Sequence, residues 1–381
     1  MGAPLGAPAG VSPGAAQPAT VGRSAARAVQ RAAAELRRGL PVLLLGEAPL
    51  ALLAAETASG PGLADFIRLS AQPGALLLAP VRAAAALHRP IEQSAEAVAL
   101  RLREPSPDLL RAYADPTAEQ VFPKTPELVA PPVLAPAALA LAKIARLLPA
   151  VLAAPARPNA AALAGELGLI AVDAASVLEA PLEAAASLRR VADAPVPLDL
   201  APDAKVVAFR AAESGVEHLA IVIGDPTGDP PPLVRVHSEC FTGDLLSSMR
   251  CDCGTQLRGA LARMGEEGRG VLLYLAQEGR GIGLVNKLRA YALQDRGLDT
   301  LDANCALGWG ADERNFLIAA AMLRELGVGA VRLLTNNPDK VAALAASGID
   351  VAARVPHAFR PNGVNDSYLA TKAKRFGHIL D

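Results

Sequence analysis

Reactive thiols and aromatic rings are both scarce in this chain. It has four cysteines in 381 residues, and aromatics make up 3 % of the composition. So few cysteines cannot build a disulfide framework of the kind that staples small secreted domains. Charge of one sign is missing too: 37 Lys and Arg face 38 Asp and Glu, a net of -1. No global field therefore argues for a nucleic-acid or membrane partner, although a local basic pocket stays open. Long apolar runs are broken early. "LPVLLLGEAPLALLAA" carries Glu47, and "PPVLAPAALALAKIARLLPA" carries Lys143 and Arg146, so neither has the length of a membrane span. The opening "MGAPLGAPAGVSPGAAQPATVG" has no basic stretch followed by an apolar one, so no secretory signal is expected. The expectation is a cytoplasmic, reducing setting, in which clustered thiols point to a metal site or a catalytic device.

What is present is alanine, glycine and proline in an apolar background (52 % hydrophobic), enough chain for two domains. Residues 1–22 are Gly/Ala/Pro-rich and are expected to be a disordered tail. "SAARAVQRAAAELRRGL" predicts an amphipathic helix closed by Gly39, and "PVLLLG" a buried strand. Helix and strand signals alternate up to "LAGELGLIAVDAASVLEAPLEAAASLRR", which reads as a helix, a short strand and a Ser-capped helix. The first domain is therefore α/β over 23–190. The Pro- and Asp-rich stretch 191–205 is expected to be a linker, and 206–381 a second, mixed α+β domain. In that half, "VEHLAIVIGDP" and "PPLVRVHSE" predict strands. "GVLLYLAQEGRGIGL" predicts a strand entering a Gly-rich loop, and "NKLRAYALQDRG" a helix ending at Gly297. "ADERNFLIAAAMLRELG" predicts a helix that begins at Glu313 with Asp312 as its cap. "VRLLTNNPDKVAALAASG" predicts a strand and a helix capped by Asn337.

The cysteines carry the chemistry. Cys240, Cys251 and Cys253 form a Cys-x10-Cys-x-Cys pattern, and thiolates are preferred zinc ligands. Three sulfurs leave one coordination position for water, which suits a hydrolytic ion. The equal alternative is a closed structural site with His237 as fourth ligand. Cys305 lies apart and reads as a small buried hydrophobe. Arg235, Arg280, Arg314 and Lys340 sit in or beside loops where cations can meet phosphates, and "TNNPDK" offers a helix N-terminus as an anion seat. Glu278 of "QEGR" could accept the two adjacent donors of a guanine edge. Each signal is weak alone, and "GRGIG" completes no nucleotide fingerprint.

Together, "RVHSECFTGDLLSSMRCDCGTQL", "YLAQEGRGIGLVNKLRAYALQDRGLDT", "LGWGADERNF", "LLTNNPDKV" and "GVNDSYLATKAKRFGH" resemble GTP cyclohydrolase II over roughly residues 205–380. The resemblance implies a zinc enzyme that removes C8 of GTP as formate and its outer phosphates as diphosphate, opening riboflavin biosynthesis. It implies zinc on Cys240, Cys251 and Cys253, which favours the open site, and magnesium on the triphosphate. Asp312 would be a proton acceptor, Arg314 would act at the α-phosphorus, and Tyr291 would serve ring opening. GTP contacts would fall on Arg235, Val236, His237, Ser238, Glu239, Gln256, Glu278, Gly279, Arg280, Thr300, Thr335 and Lys340. One departure is Ala276, where the family usually has a basic residue. A homodimer is implied, with no nucleic-acid or membrane partner.

The first half resembles dihydroxybutanone-phosphate synthase in "AVQRAAAELRRGLPVLLLGEAPLALLAAETASGPGLADFIRLSAQPGALLLAPV" and "AALALAKIARLLPAVLAA". That chemistry needs an acidic magnesium loop and a histidine. "GEAPLALLAAE" has one early carboxylate and "LAPAALALA" no histidine, so the expectation is a synthase-like fold kept without its reaction. The rival readings are a bifunctional enzyme and a non-catalytic GTP-binding zinc sensor.

Overall fold

The computed structural model describes residues 18–92, 95–119 and 126–379. Within them the chain folds around two seven-stranded sheets. The first sheet holds β1 (Val42–Leu45), β2 (Leu50–Ala54), β3 (Ala75–Leu78), β4 (Val98–Arg101), β5 (Glu127–Val129), β6 (Ala150–Pro155) and β7 (Ile170–Asp173). Its strand order is β5-β4-β3-β6-β2-β1-β7, antiparallel except for the β1–β7 pair. Around it lie α1 (Pro18–Arg37), α2 (Gly60–Leu69), α3 (Pro80–Leu87), α4 (Pro107–Ala114), α5 (Ala135–Ile144), α6 (Ala160–Glu166) and α7 (Ala174–Ala186).

The second sheet holds β8 (Arg189–Pro195), β9 (Lys205–Arg210), β10 (Glu217–Ile223), β11 (Leu233–Ser238), β12 (Gly270–Leu275), β13 (Ala330–Leu334) and β14 (Asp350–Val355). Its order is β14-β13-β11-β12-β10-β9-β8. Here β12, β11, β13 and β14 run parallel, whereas β8, β9 and β10 are antiparallel. The helices are α8 (Cys253–Glu267), α9 (Leu284–Gln294), α10 (Thr300–Ala306), α11 (Leu317–Glu325), α12 (Pro338–Ala346) and α13 (Asp366–Phe376). Among the described residues no helix is long and apolar enough to cross a membrane.

Local sequence explains many of these elements. In α1 the apolar positions Val29, Ala32, Ala33 and Leu36 recur at helical spacing and are fully buried. Gly39 then turns the chain at φ 75°, where a Cβ would lie 2.3 Å from the Thr57 carbonyl oxygen. The expected disordered tail falls mostly outside the described residues, but α1 starts at Pro18, ahead of the boundary at 22. The α7 cap is Asp173, whose carboxylate accepts the Ser176 N–H at 3.0 Å, rather than a serine. Nor is 191–205 a free linker. Residues 189–195 pair with β9 as the edge strand β8, and Pro195 is tolerated because it sits at the end of an edge strand. The Asp312 cap fails as well. Asp312 folds back on Arg314, and α11 starts at Leu317, whose N–H is taken by Asn315 Oδ1 at 3.1 Å. Asn337 caps α12 as expected, accepting the Asp339 N–H at 2.9 Å.

The two sheets are not packed independently. One core cluster of the first sheet takes in Ile282, Ala290, Leu293, Ala303, Leu307 and Trp309 from the second half. Helices α9 and α10, which border the cysteines, thus close the core of the other domain.

Candidate active site

Parallel neighbours end at one edge of a sheet, so the loops after β11, β12 and β13 converge there. They deliver Glu239 and Cys240, then Glu278–Arg280, then Thr335–Asn337, into one cavity. A single turn of π-helix, Phe241–Leu245, follows Cys240 and folds the chain tightly over the thiols. The Sγ atoms of Cys240, Cys251 and Cys253 all lie within 4.8 Å of one another, with Cys240 and Cys251 at 3.8 Å. Gly243 is the floor of this cradle. A Cβ there would sit 2.8 Å from Cys251 Sγ and 3.0 Å from Cys240 Sγ. The Gly243 N–H and the Lys287 ammonium both donate to Cys240 Sγ, at 3.3 and 3.0 Å.

The electrostatics of the cluster suit a cation. Hydrogen bonds from Cys251 and Cys253, with the Lys287 charge beside them, hold the Cys240 thiol far below its ordinary value. The Cys240 sulfur in turn pushes the thiols of Cys251 and Cys253 up. One thiolate forms readily, and the next two need a positive ion among them. Lys287 is pulled toward neutrality by burial, but Cys240 and Glu278 outweigh that and push it up. A thiolate triad with a small-residue floor fits zinc. His237 is outside the cluster: its Nε2 lies 3.1 Å from Asp244 Oδ2, and its ring stacks on Tyr274 at 5.6 Å. Asp244 also accepts from Tyr274 Oη at 3.0 Å and from the Cys240 N–H at 2.9 Å, which fixes the ligand strand.

Beyond the sulfurs the cavity is cationic. Alternation along β11 turns Arg235 and His237 to the cavity. Val236 is the exception among the expected contacts. It is 1 % exposed in the core, and its carbonyl is already taken by Lys340 Nζ at 2.9 Å. Among the described residues that is the one hydrogen bond of the buried Lys340, and burial pushes its pKa well down. Arg235 donates to the Leu334 carbonyl at 2.9 Å and to Gln256, and burial lowers it to about 10; its Nε has no partner. Burial lowers Arg280 too, and its guanidinium lies 3.7 Å over the Phe376 ring. Buried cations so poorly balanced are costly unless an anion joins them.

Ser238, Glu239, Gln256, Gly279, Thr300 and Thr335 also line the cavity. Glu278 lines it as well, but its carboxylate is largely spent. Oε2 accepts the Phe241 N–H at 2.7 Å, while Oε1 accepts Lys287 at 2.8 Å and the Gly279 N–H at 3.0 Å. With about four lone-pair sites on a carboxylate, room remains for one donor, not for the two of a guanine edge. Arg314 reaches the cavity, and Asp312 touches it only through Arg314, by two side-chain hydrogen bonds. Burial would raise the Asp312 carboxyl, but the Arg314 bonds and charge hold it below the usual range. That makes it a weak base at neutral pH. Tyr291 Oη lies 3.3 Å from Thr242 Oγ1, and burial raises its pKa. Cys305 is only partly buried, on α10, away from the sulfurs.

Sequence reasoning missed several residues. Lys287 stands one helical turn before Tyr291 on α9, a spacing that could have flagged it. Lys372, whose Nζ meets Asp252 Oδ1 at 2.5 Å, and His378, in the cavity wall, come from the C-terminal stretch 363–378, which carried part of the resemblance without marking either residue.

These features describe a cavity in which three sulfurs, grouped closely enough to hold a metal ion, face a cluster of cations. A family model described as GTP cyclohydrolase II matches residues 189–356. The GTP cyclohydrolase-2 of Azospirillum brasilense is 47 % identical, over 94 % of this chain and 95 % of that one. That of Yersinia pestis is 55 % identical, over 51 % of this chain and 98 % of its own, so a relative of about half the length exists. The chain belongs to the GTP cyclohydrolase II family. A solved two-domain 3,4-dihydroxy-2-butanone 4-phosphate synthase from A. baumannii aligns over 85 % of this chain and 98 % of its own, at 18 % identity and a TM-score of 0.33, too distant a likeness to carry an argument.

Proposed function

We propose that this chain hydrolyses GTP to 2,5-diamino-6-hydroxy-4-(5-phosphoribosylamino)pyrimidine, formate and diphosphate, the first step of riboflavin biosynthesis. The observation that carries the reading is the buried Cys240–Cys251–Cys253 cluster opening on Arg235, Arg314 and Lys340. Cys240, Cys251 and Cys253 would hold zinc, which when bound would supply a Lewis acid able to bring the pKa of water to about 7. Arg235, Arg280, Arg314 and Lys340 bind the triphosphate, whose magnesium offsets the remaining charge. Glu239, whose carboxyl burial raises, is the better reader of the guanine edge, and Glu278 instead anchors Lys287. Lys287 and the Gly243 N–H keep Cys240 aimed at the metal. Tyr291 stands beside them to hold or pass a proton during ring opening. Arg314 acts by phosphate contact, because a guanidinium does not give up its proton at neutral pH.

The synthase-like half contributes no second activity in this reading. Glu56, a carboxylate of the expected magnesium loop, is committed to Arg289 at 2.9 Å and to the Leu148 N–H at 2.7 Å. The enzyme works in the cytoplasm as a homodimer. The test is incubation of purified protein with GTP, zinc and magnesium, with formate and the pyrimidine as readouts. Cys251→Ser should lose zinc and turnover together, while His237→Ala should keep its zinc. GTP binding without formate would favour a sensor, and butanone phosphate made from ribulose 5-phosphate would restore a second activity.

A further inference from the structure

Two loops of the cavity are held from outside the second domain. Lys143, in the last turn of α5, donates to Glu313 Oε1 at 2.5 Å. Glu313 stands between Asp312 and Arg314. Its Oε1 also accepts the Gly310 N–H at 2.7 Å, and its own N–H meets the Arg280 carbonyl at 3.0 Å. Three residues beyond Lys143, Arg146 donates to the carbonyl of Ala276 at 2.8 Å, at the start of the Gln277–Arg280 turn. The carbonyl of Arg146 accepts from Asn286 Nδ2 at 3.1 Å, next to Lys287. Arg146 adopts φ 57°, in the left-handed region that arginine seldom visits. Its charge works on the site as well, opposing the effect of burial on Glu239. Residue 276 is itself an alanine, so the cation at the head of this turn comes from the first domain.

Stability alone gives these contacts little reason to exist. The Lys143–Glu313 pair is about a quarter to a third exposed, at 32 % and 24 %. Solvent still reaches such a pair and screens it, so it adds little to stability. A misplacement of reacting groups by about 1 Å, by contrast, costs roughly 100-fold in rate.

We propose that the end of α5 is a positioning element for the reaction of the other domain, with Lys143 setting the Asp312–Arg314 loop and Arg146 setting the Gln277–Arg280 turn. This rests on the cyclohydrolase reading for the jobs of the two loops. Each loop carries a triphosphate cation, Arg314 in one and Arg280 in the other, so local exchange tells the two variants apart. Lys143→Met and Arg146→Met each lower kcat and raise KM for GTP, about tenfold in kcat/KM. Zinc content stays at the parent level in both. Hydrogen exchange quickens at residues 310–315 in the first variant and at 276–281 in the second, with the strands unchanged. The charge swap Lys143→Glu with Glu313→Lys recovers most of the kcat that either single reversal loses, and Lys143→Arg stays near the parent. Unmodified protein is assayed first. Failure to release formate from GTP sinks the cyclohydrolase reading, and local exchange then decides the positioning claim without it. Parent-like exchange together with kcat and KM within twofold in both methionine variants, or a swap no better than its single reversals, overturns the proposal.

Discussion

The junction between the halves and the cationic end of the cavity spend their buried charges in opposite ways. At the junction, Arg289 of α9 meets Glu56 and Asp115 of the first domain, each at 2.9 Å, so a partly buried cation is fully answered by carboxylates. In the cavity, Lys340 and Arg235 are buried against carbonyls and an amide, with no such partner among the described residues. A satisfied charge holds a fold together, whereas an unsatisfied one stores a cost that a ligand removes. The comparison explains why the first domain can be rich in alanine and poor in chemistry and still matter. Its business is the apolar face of α9 and α10, and those helices carry Lys287, Tyr291 and Thr300 to the cavity.

Cutting the chain is the harshest way to break this contrast. Removal of residues 1–187 leaves β8 in its sheet but bares Ile282, Leu293, Leu307 and Trp309. At about 2 kcal/mol for each large side chain returned to water, the fragment should aggregate, as seen by size exclusion. A monodisperse, active fragment would show that the halves are independent after all. A cut at 195 would also strip the edge strand and is the poorer experiment.

Next in size is Lys340→Met, which keeps the volume and removes the unanswered charge. GTP binding should weaken about 10- to 100-fold, the worth of one charged hydrogen bond. Thermal stability should rise, because a buried cation has been deleted. Calorimetry of the ligand-free protein checks the second half of the claim, and a lower Tm would mean that Lys340 is a structural residue. Arg289→Met, by the same logic, should lower Tm, since it strands Glu56 and Asp115.

A further effect concerns acid. Burial pushes His218 and His357 down to about 4 from an ordinary value of 6.5. Both stay neutral in the fold while the unfolded chain takes up protons below 6.5. Their contribution is therefore complete above that value and is lost as pH falls toward 4, by at most about 3 kcal/mol each. Denaturant titrations at pH 7.5 and 5 should show the drop, and His357→Asn should shrink it. An equal drop in the variant would assign the acid sensitivity to other groups.

Much of this was readable beforehand, for reasons that differ by element. α1, β12 and α12 follow from apolar spacing, a glycine stop or an asparagine cap, all of which act over a few residues. The sulfur cluster was equally plain, since its ligands lie close in sequence. The edge strand β8 was hidden because prolines mark both linkers and sheet margins, and only its pairing with β9 distinguishes the two. Asp312 was misplaced as a cap because an aspartate before a helix can serve either the backbone or a neighbouring arginine. Glu278 looked free to read guanine, until Phe241, Gly279 and Lys287 were found on its oxygens.

By itself the sequence determined the sulfur cluster, the family and the alternation of helices with strands, since each depends on residue types at short range. Tertiary structure alone decided which charges are answered, and that Lys143 and Arg146 reach loops more than a hundred residues away. Coulomb forces and burial depend on distance through space, and no local pattern in a chain records that.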